Sequence, residues 1–231
     1  MNFARSVLAE WPLLRVRLLR TRLGLWLLLL TGALIVTERH ARAPDPLATA
    51  LQAGALAAVL AVGYLAGSAA DRAAVGIVLL HPSTPWAVTC GRWLAAVGGA
   101  GLVVFACVIH SASETGAVPA SLGAMLSGLG AAAAIAAPTL ALAWTGGNVM
   151  VGLWLLNLAL IGGAPPEALL GHVPPGALRY AAVLWLELTP GQWHFRGIGT
   201  GDVAATALAA AWVGLGLVAA RWRVARVSRM R

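Results

Sequence analysis

Few side chains in this sequence are of the types that carry out chemistry, and their identities exclude several reactions. Only 10% of the 231 residues are charged, and all 16 basic residues are arginine. A chain without lysine has no amine for Schiff-base catalysis and no P-loop lysine to contact the terminal phosphates of a nucleotide. We therefore expect this chain to bind no cofactor, and any nucleotide hydrolysis has to come from another polypeptide.

The histidines, serines and small residues indicate packing rather than catalysis. The five histidines are scattered and never form a His-x-x-x-His pair, so no metal site is predicted. No G-x-S-x-G nucleophile elbow is present. Ser127 lies in Ser-Gly-Leu-Gly within an apolar stretch, where small residues indicate helix packing. Close packing of helices is also predicted at Gly63-x-x-x-Gly67.

The most specific pattern is DRAAVGIVLLHPSTPWAVTCGRWLAA, residues 71–96. It begins with the charged pair Asp71 and Arg72, continues as a short apolar helix, is stopped by Pro82 and restarts near Trp86. A short, stiff helix of this kind presents a shape that a partner protein can grip. The alternative is an ordinary interfacial helix between two membrane spans. For Arg92 the enrichment of arginine at the cytoplasmic ends of spans is a sufficient explanation.

Long apolar runs position these residues in a membrane. Hydrophobic residues make up 60% of the chain and the mean hydropathy is +0.83, whereas soluble domains carry roughly 25% charged residues. The runs match the ~30 Å hydrocarbon core of a bilayer. We predict an all-α integral membrane protein, one domain over residues 1–231, with six transmembrane helices. The predicted spans are residues 23–37, 47–70, 88–110, 118–145, 149–163 and 203–220.

Two further elements accompany the predicted spans. Regularly spaced arginine and leucine residues predict an amphipathic interfacial helix at residues 1–22. Prolines divide residues 164–202 into pieces too short to span the membrane, and the apolar part, Ala177–Leu188, is predicted to be a re-entrant or interfacial helix. In this segment Glu187 is either an external gate residue or a carboxylate that faces outer water. The near absence of ionisable residues within the spans argues against a proton-coupled transporter.

The arginines are unevenly distributed between the two sides of this topology. With six spans, twelve lie on one side and four on the other. Because arginine is enriched on the cytoplasmic side of membrane proteins, both termini are predicted to be cytoplasmic. The twelve are Arg5, Arg15, Arg17, Arg20, Arg22, Arg72, Arg92, Arg221, Arg223, Arg226, Arg229 and Arg231, and the four are Arg39, Arg42, Arg179 and Arg196.

Residues 71–96 resemble the ABC-2 type permease family, the membrane subunits of many ATP-binding-cassette exporters. In that family an acidic residue opens a short cytoplasmic helix, leucines lead to Pro-x-Ser, and Gly-Lys or Gly-Arg starts the third span. The span order, the broken outer segment and the basic ends resemble the family more weakly. Ala73 and Ala87 depart from its pattern, and Ala87 replaces an acid that could contact the ATPase. The matching residues are Asp71, Ile77, Leu80, Pro82, Thr84, Trp86, Gly91, Arg92 and Ala95.

The resemblance implies the membrane subunit of an exporter, driven by a separate cytoplasmic ATPase that binds ATP and Mg²⁺. It implies that residues 71–86 form a coupling helix that docks this ATPase. A second permease subunit, identical or homologous, would complete the pathway in the cytoplasmic (inner) membrane of a prokaryote. The basic ends are expected to meet membrane lipids rather than nucleic acid. The predicted coupling residues are Asp71, Arg72, Ile77, Leu80, Pro82, Thr84, Trp86 and Arg92.

Two other functions stay open at this point. One is a non-transport assembly or scaffold subunit of a larger membrane complex, and the other is an intramembrane enzyme. Copurification with an ATPase favours the exporter. Stable association with other membrane proteins and no ATPase favours the scaffold, and catalysis by the detergent-solubilised protein favours the enzyme.

Overall fold

Every regular element that the structure describes is helical, which confirms the predicted all-α fold class. This computed structural model describes residues 22–40, 45–68, 84–116, 118–161, 171 and 174–229. The predicted interfacial helix lies outside the described residues, apart from Arg22. The helices are α1 Leu23–His40, α2 Pro46–Ala66, α3 Pro85–Thr115, α4 Val118–Ile161, α5 Ala177–Leu188 and α6 Val203–Arg229, and a 3-10 helix, Gln192–Thr200, lies between α5 and α6.

Five of these helices, α1, α2, α3, α4 and α6, are long and apolar enough to cross a membrane. The most buried of them is α2, whereas α1 and α6 lie at the periphery and bury the smallest share of their apolar residues. Their outer faces expose large apolar side chains, which is unfavourable in water and favourable in lipid. These exposed apolar faces indicate a membrane-embedded protein. The exposed side chains include Leu25, Leu28, Leu215 and Val218.

Side-chain caps fix where the helices begin. The Oδ1 atom of Asp45 accepts a hydrogen bond of 3.0 Å from the backbone N–H of Leu47, at the start of α2. The Oγ1 atom of Thr84 accepts one of 3.2 Å from Ala87, at the start of α3. Asp202 does the same for α6. Each bond satisfies a backbone donor that has no partner within the helix, which contributes about 1 kcal/mol.

The helices α2 and α4 cross in backbone contact at Gly54 and Gly128. A methyl group on Gly54 would overlap the carbonyl oxygen of Gly128, and one on Gly128 would lie 2.7 Å from the carbonyl oxygen of Ala50. Neighbouring positions of α2 are fully buried alanines, such as Ala53 and Ala57. Small residues let helix backbones approach this closely. At this crossing the two helices consequently meet through backbone and methyl groups.

The long helix α4 is broken at Gly147. This residue has φ 64° and ψ −150°, outside helical geometry, and a positive φ of this size favours glycine. As one straight helix, the 44 residues of α4 would be about 66 Å long, far more than a hydrocarbon core of about 30 Å. The break falls within residues 146–148, which separate the predicted fourth and fifth spans.

Before the break, α4 runs in the same direction as α2. Gly128 faces Gly54. Further along, Trp144 lies at the end of α2, because the side chain of Arg92 contacts both the Trp144 ring and the carbonyl oxygen of Leu65. The first half of α4 is therefore parallel to α2.

After Gly147 this order is reversed. Asn148 lies beside Gly67, and Val151 lies beside Gly63, where a methyl group would be 3.2 Å from the Cγ1 atom of Val151. The second half of α4 is therefore antiparallel to α2, and the chain turns back along α2. The two glycines of Gly63-x-x-x-Gly67 face this second half of α4.

Candidate functional site

Several helix ends meet at one end of the bundle, which we call the arginine end. They are the end of α2, the beginning of α3, the turn of α4 at Gly147 and the last turns of α6. The segment predicted as the coupling helix connects α2 with α3 at this end. The arginine and tryptophan side chains that contact each other here are Arg92, Arg221, Arg223, Arg226, Trp86, Trp144 and Trp222.

Three of the predicted coupling residues, Thr84, Trp86 and Arg92, are described by the structure. Thr84 is the N-cap of α3, and the other two lie within its first turns. The structure brings all three to the arginine end. The remaining predicted coupling residues lie outside the described ranges and are Asp71, Arg72, Ile77, Leu80 and Pro82.

Arg92 is buried and joins three helices. Its side chain is 4% exposed, and its Nη1 atom donates a hydrogen bond to the carbonyl oxygen of Leu65 in the last turn of α2. The guanidinium carbon lies 5.0 Å from the centroid of the Trp144 ring in α4. A cation at the C-terminal end of a helix satisfies carbonyl groups that have no partner within the helix. Arg92 therefore holds α2, α3 and α4 in a fixed arrangement.

A second cation–π contact joins α6 to α3. The guanidinium carbon of Arg221 lies 4.9 Å from the centroid of the Trp86 ring. Beside it, Ala220 and Val224 of α6 are fully buried. The last turns of α6 thus pack on the beginning of α3, next to the connection that would carry the coupling helix.

The chain between α5 and α6 inserts into the bundle from the opposite end. In the 3-10 helix, Phe195 is fully buried and Gln192 nearly so. The hydroxyl of Ser127 in α4 donates to the carbonyl oxygen of Arg196 at 3.0 Å and accepts from the N–H of Gly199 at 2.9 Å. Ser127 is nine residues from the start of α4, so the inserted chain reaches about 13 Å along that helix.

Replacing Ser127 with alanine is expected to loosen this inserted chain. Two part-buried backbone groups, the carbonyl of Arg196 and the N–H of Gly199, would lose their partner, and an unsatisfied group costs about 1–3 kcal/mol when it is fully buried. Amide hydrogen exchange of residues 192–200 should become faster by at least tenfold. Ser113→Ala is the matched control, because that exposed hydroxyl donates to the carbonyl of His110 in its own helix. Equal protection of residues 192–200 in both variants would show that the Ser127 hydroxyl does not hold the inserted chain in place.

The predicted gate residue Glu187 lies in the last turn of α5, a helix whose bounds coincide with the predicted apolar segment. The Glu187 side chain is outside the described part of the structure. Elsewhere α5 is largely exposed, and the Nε1 atom of Trp185 donates to the Oδ1 atom of Asn157 in the second half of α4 at 3.1 Å. This bond places α5 beside that half of α4.

A buried carboxylate, Glu38, lies opposite the arginine end, one residue beyond the predicted first span, residues 23–37. Glu38 is 8% exposed, and its Oε1 atom accepts a hydrogen bond of 2.5 Å from the Ser111 hydroxyl in α3. At the rim, Arg39 and Glu114 form an exposed ion pair of 3.0 Å. The two contacts fasten α1 to α3. The described residues contain no group of three or more metal-ligating side chains that would make this a metal site.

No family model, curated protein sequence or solved structure matches this chain significantly.

Proposed function

We propose that the chain is the membrane-spanning permease subunit of an ATP-binding-cassette exporter, driven by a separate cytoplasmic ATPase that binds ATP and Mg²⁺. The observation that carries the proposal is the meeting of helix ends at the arginine end. There, the segment that resembles ABC-2 permeases, residues 71–96, leads from α2 into the first turns of α3. A force applied to this connection would reach α2, α3 and α4 together, because Arg92 contacts all three.

In this proposal the chain crosses the membrane six times. The reversal at Gly147 supports counting the halves of α4 as two spans. An even number of spans puts both termini on one side, and the concentration of arginine at the arginine end supports a cytoplasmic location for that side. The protein then belongs to the cytoplasmic (inner) membrane of a prokaryote, and the inserted chain at residues 189–200 enters from outside as a re-entrant segment.

The coupling residues would act by position rather than by chemistry. Thr84 and Pro85 fix where α3 begins. A movement of α3 would reach α6 through the contact between Trp86 and Arg221. It would reach α2 and α4 through the contacts of Arg92. ATP-driven movement of the docked ATPase would in this way tilt the central helices as a unit. Cargo would move along a surface shared with a second permease subunit, identical or homologous, since buried side chains and close-packed backbone fill the centre of this one.

The docking role is tested by changing residues 71–82 and measuring the copurified ATPase. The variant combines Pro82→Ala with charge reversal, Asp71→Arg and Arg72→Asp. We expect it to insert normally, to retain less than a tenth of the ATPase that copurifies with the wild type in mild detergent, and to lose transport. The reason is that the variant removes the stop of the short helix and reverses the two charges that this proposal places against the partner.

Charge reversal at the opposite end is the matched control. Arg39→Glu with Glu114→Arg restores an exposed ion pair with its signs exchanged, and exposed pairs contribute at most about 1 kcal/mol. This control should keep its ATPase. If the docking variant also kept its ATPase and full transport, the assignment of residues 71–86 would be wrong. If the wild type copurified with other membrane proteins and no ATPase, the scaffold function would replace the exporter.

A further inference from the structure

We propose that the last turns of α6 form a binding site for the headgroup of an anionic phospholipid, built on Trp222, Arg223 and Arg226. The guanidinium carbon of Arg226 lies 3.7 Å from the centroid of the Trp222 ring, and that of Arg223 lies 5.0 Å from the same centroid. Two positive charges are thus held close together on one indole ring.

Among the described residues, this pair of arginines has no carboxylate counterion. Neither Arg223 nor Arg226 forms an ion pair with a carboxylate of the residues that the structure describes. Stacking on tryptophan occupies the face of a guanidinium group and leaves its N–H edge available. Arginine binds phosphate oxygens through this edge, often with two parallel hydrogen bonds. A phosphate group placed between the two edges would relieve the repulsion between the arginines.

The position of the site along α6 indicates a lipid rather than a soluble anion or an acidic protein segment. Leu215, Val218, Trp222 and Arg226 follow one another at spacings of three and four residues, which puts them on one face of the helix. The first three are exposed apolar side chains, and Arg226 is exposed beyond them. An apolar stripe that ends in tryptophan and then arginine is typical of the membrane–water interface. Acyl chains would lie along Leu215 and Val218, with the phosphate at Arg226.

The test is a lipid titration of the full chain in neutral detergent, read by native mass spectrometry. Phosphatidylglycerol and phosphatidylcholine with the same acyl chains are compared. A basic residue near an anionic lipid surface contributes about fivefold in affinity, so Arg223→Gln with Arg226→Gln should weaken phosphatidylglycerol binding by about 25-fold. Binding of phosphatidylcholine should change little. Trp222→Leu, which keeps both charges and removes the stack, should give an intermediate loss.

Arg179→Gln with Arg196→Gln is the matched control, because it removes two exposed charges from the α5 and 3-10 segments, away from the last turns of α6. This control should keep the affinity of the wild type. Glycerol phosphate, which has the anion and no acyl chains, should compete poorly. On the wild type, rising salt should reduce the preference for phosphatidylglycerol, a result that does not depend on the variants folding.

The proposal is overturned if the wild type shows no preference for phosphatidylglycerol, or if the double variant keeps that preference. It is also overturned if glycerol phosphate competes as well as the lipid, which would indicate a site for a soluble anion. Loss of a copurified protein partner with unchanged lipid affinity in the double variant would assign the surface to that protein instead.

Discussion

Replacing Gly54 with alanine is expected to lower the melting temperature of the detergent-purified protein by about 10 °C, and replacing it with leucine to prevent folding. The added Cβ atom would overlap the backbone carbonyl of Gly128. A helix backbone cannot move aside as the end of a flexible side chain can. Overpacking of a core typically costs about 1–3 kcal/mol, and the rigid neighbour puts Gly54 at the upper end of that range. Thermal unfolding and size-exclusion profiles measure the effect.

Two glycines in other helices provide matched controls for this substitution. A methyl group on Gly98 or on Gly214 would meet no atom within 4 Å. Alanine also favours a helix over glycine by about 1 kcal/mol, so Gly98→Ala and Gly214→Ala should keep or raise the melting temperature. If the Gly54→Ala protein had the same melting temperature as these controls, α2 and α4 would be further apart than described.

Arg92→Met is expected to destabilise the protein by about 3 kcal/mol and to loosen the arginine end. The carbonyl oxygen of Leu65 would lose a charged donor, and a hydrogen bond to a charged group contributes about 1.5–3 kcal/mol. Trp144 would lose a buried cation–π contact of about 2 kcal/mol. Methionine fills a similar volume, so the loss reports the guanidinium contacts rather than a cavity. Thermal unfolding and hydrogen exchange at residues 62–67 measure the effect.

Arg92→Lys separates charge from geometry. Lysine keeps the positive charge, but its ammonium group lacks the planar surface that stacks on an indole and the fork of donors, so the loss should be about half as large. Arg179→Met, in an exposed position of α5, is the control and should be neutral. If Arg92→Met were as stable as this control, Arg92 would not be the residue that joins the three helices.

Features that depend on local sequence were predictable. The glycines at residues 146 and 147 are the residues that a change of chain direction requires, and the break in α4 occurs at Gly147. Prolines on both sides delimit a short apolar helix, and α5 has the predicted bounds, Ala177–Leu188. The first residue of α6, Val203, also coincides with the start of the predicted last span.

Features that depend on contacts between distant residues were not predictable. Ser127 was interpreted as a packing residue, but its hydroxyl bonds the backbone of Arg196, 69 residues away. The 3-10 helix, Gln192–Thr200, is nine residues long, and its burial depends on contacts with α4 that its own sequence does not indicate. The crossing at Gly54 and Gly128 requires a pairing of helices that neither residue indicates alone.

The orientation of Arg92 also lies beyond sequence reasoning. An arginine at the end of a span normally extends its side chain toward the headgroups. Here the guanidinium points inward, because the Trp144 ring and the Leu65 carbonyl together provide a face and an acceptor for it. Sequence alone shows the charge and its place along the helix, and it contains no sign of that pair of partners.

The glycine crossing at the centre of the bundle also has a mechanical consequence. Glycine and alanine have no side-chain rotamers to rearrange, so we expect α2 and α4 to tilt together as one rigid body about Gly54. From this pivot the arm is about 18 Å long to Ala66 and about 12 Å long to Pro46. A tilt of about 10° would therefore move the two ends in opposite directions, by about 3 Å and about 2 Å. Spin labels on both ends of α2 would report such opposed displacements, and equal displacements in one direction would show sliding instead of rotation.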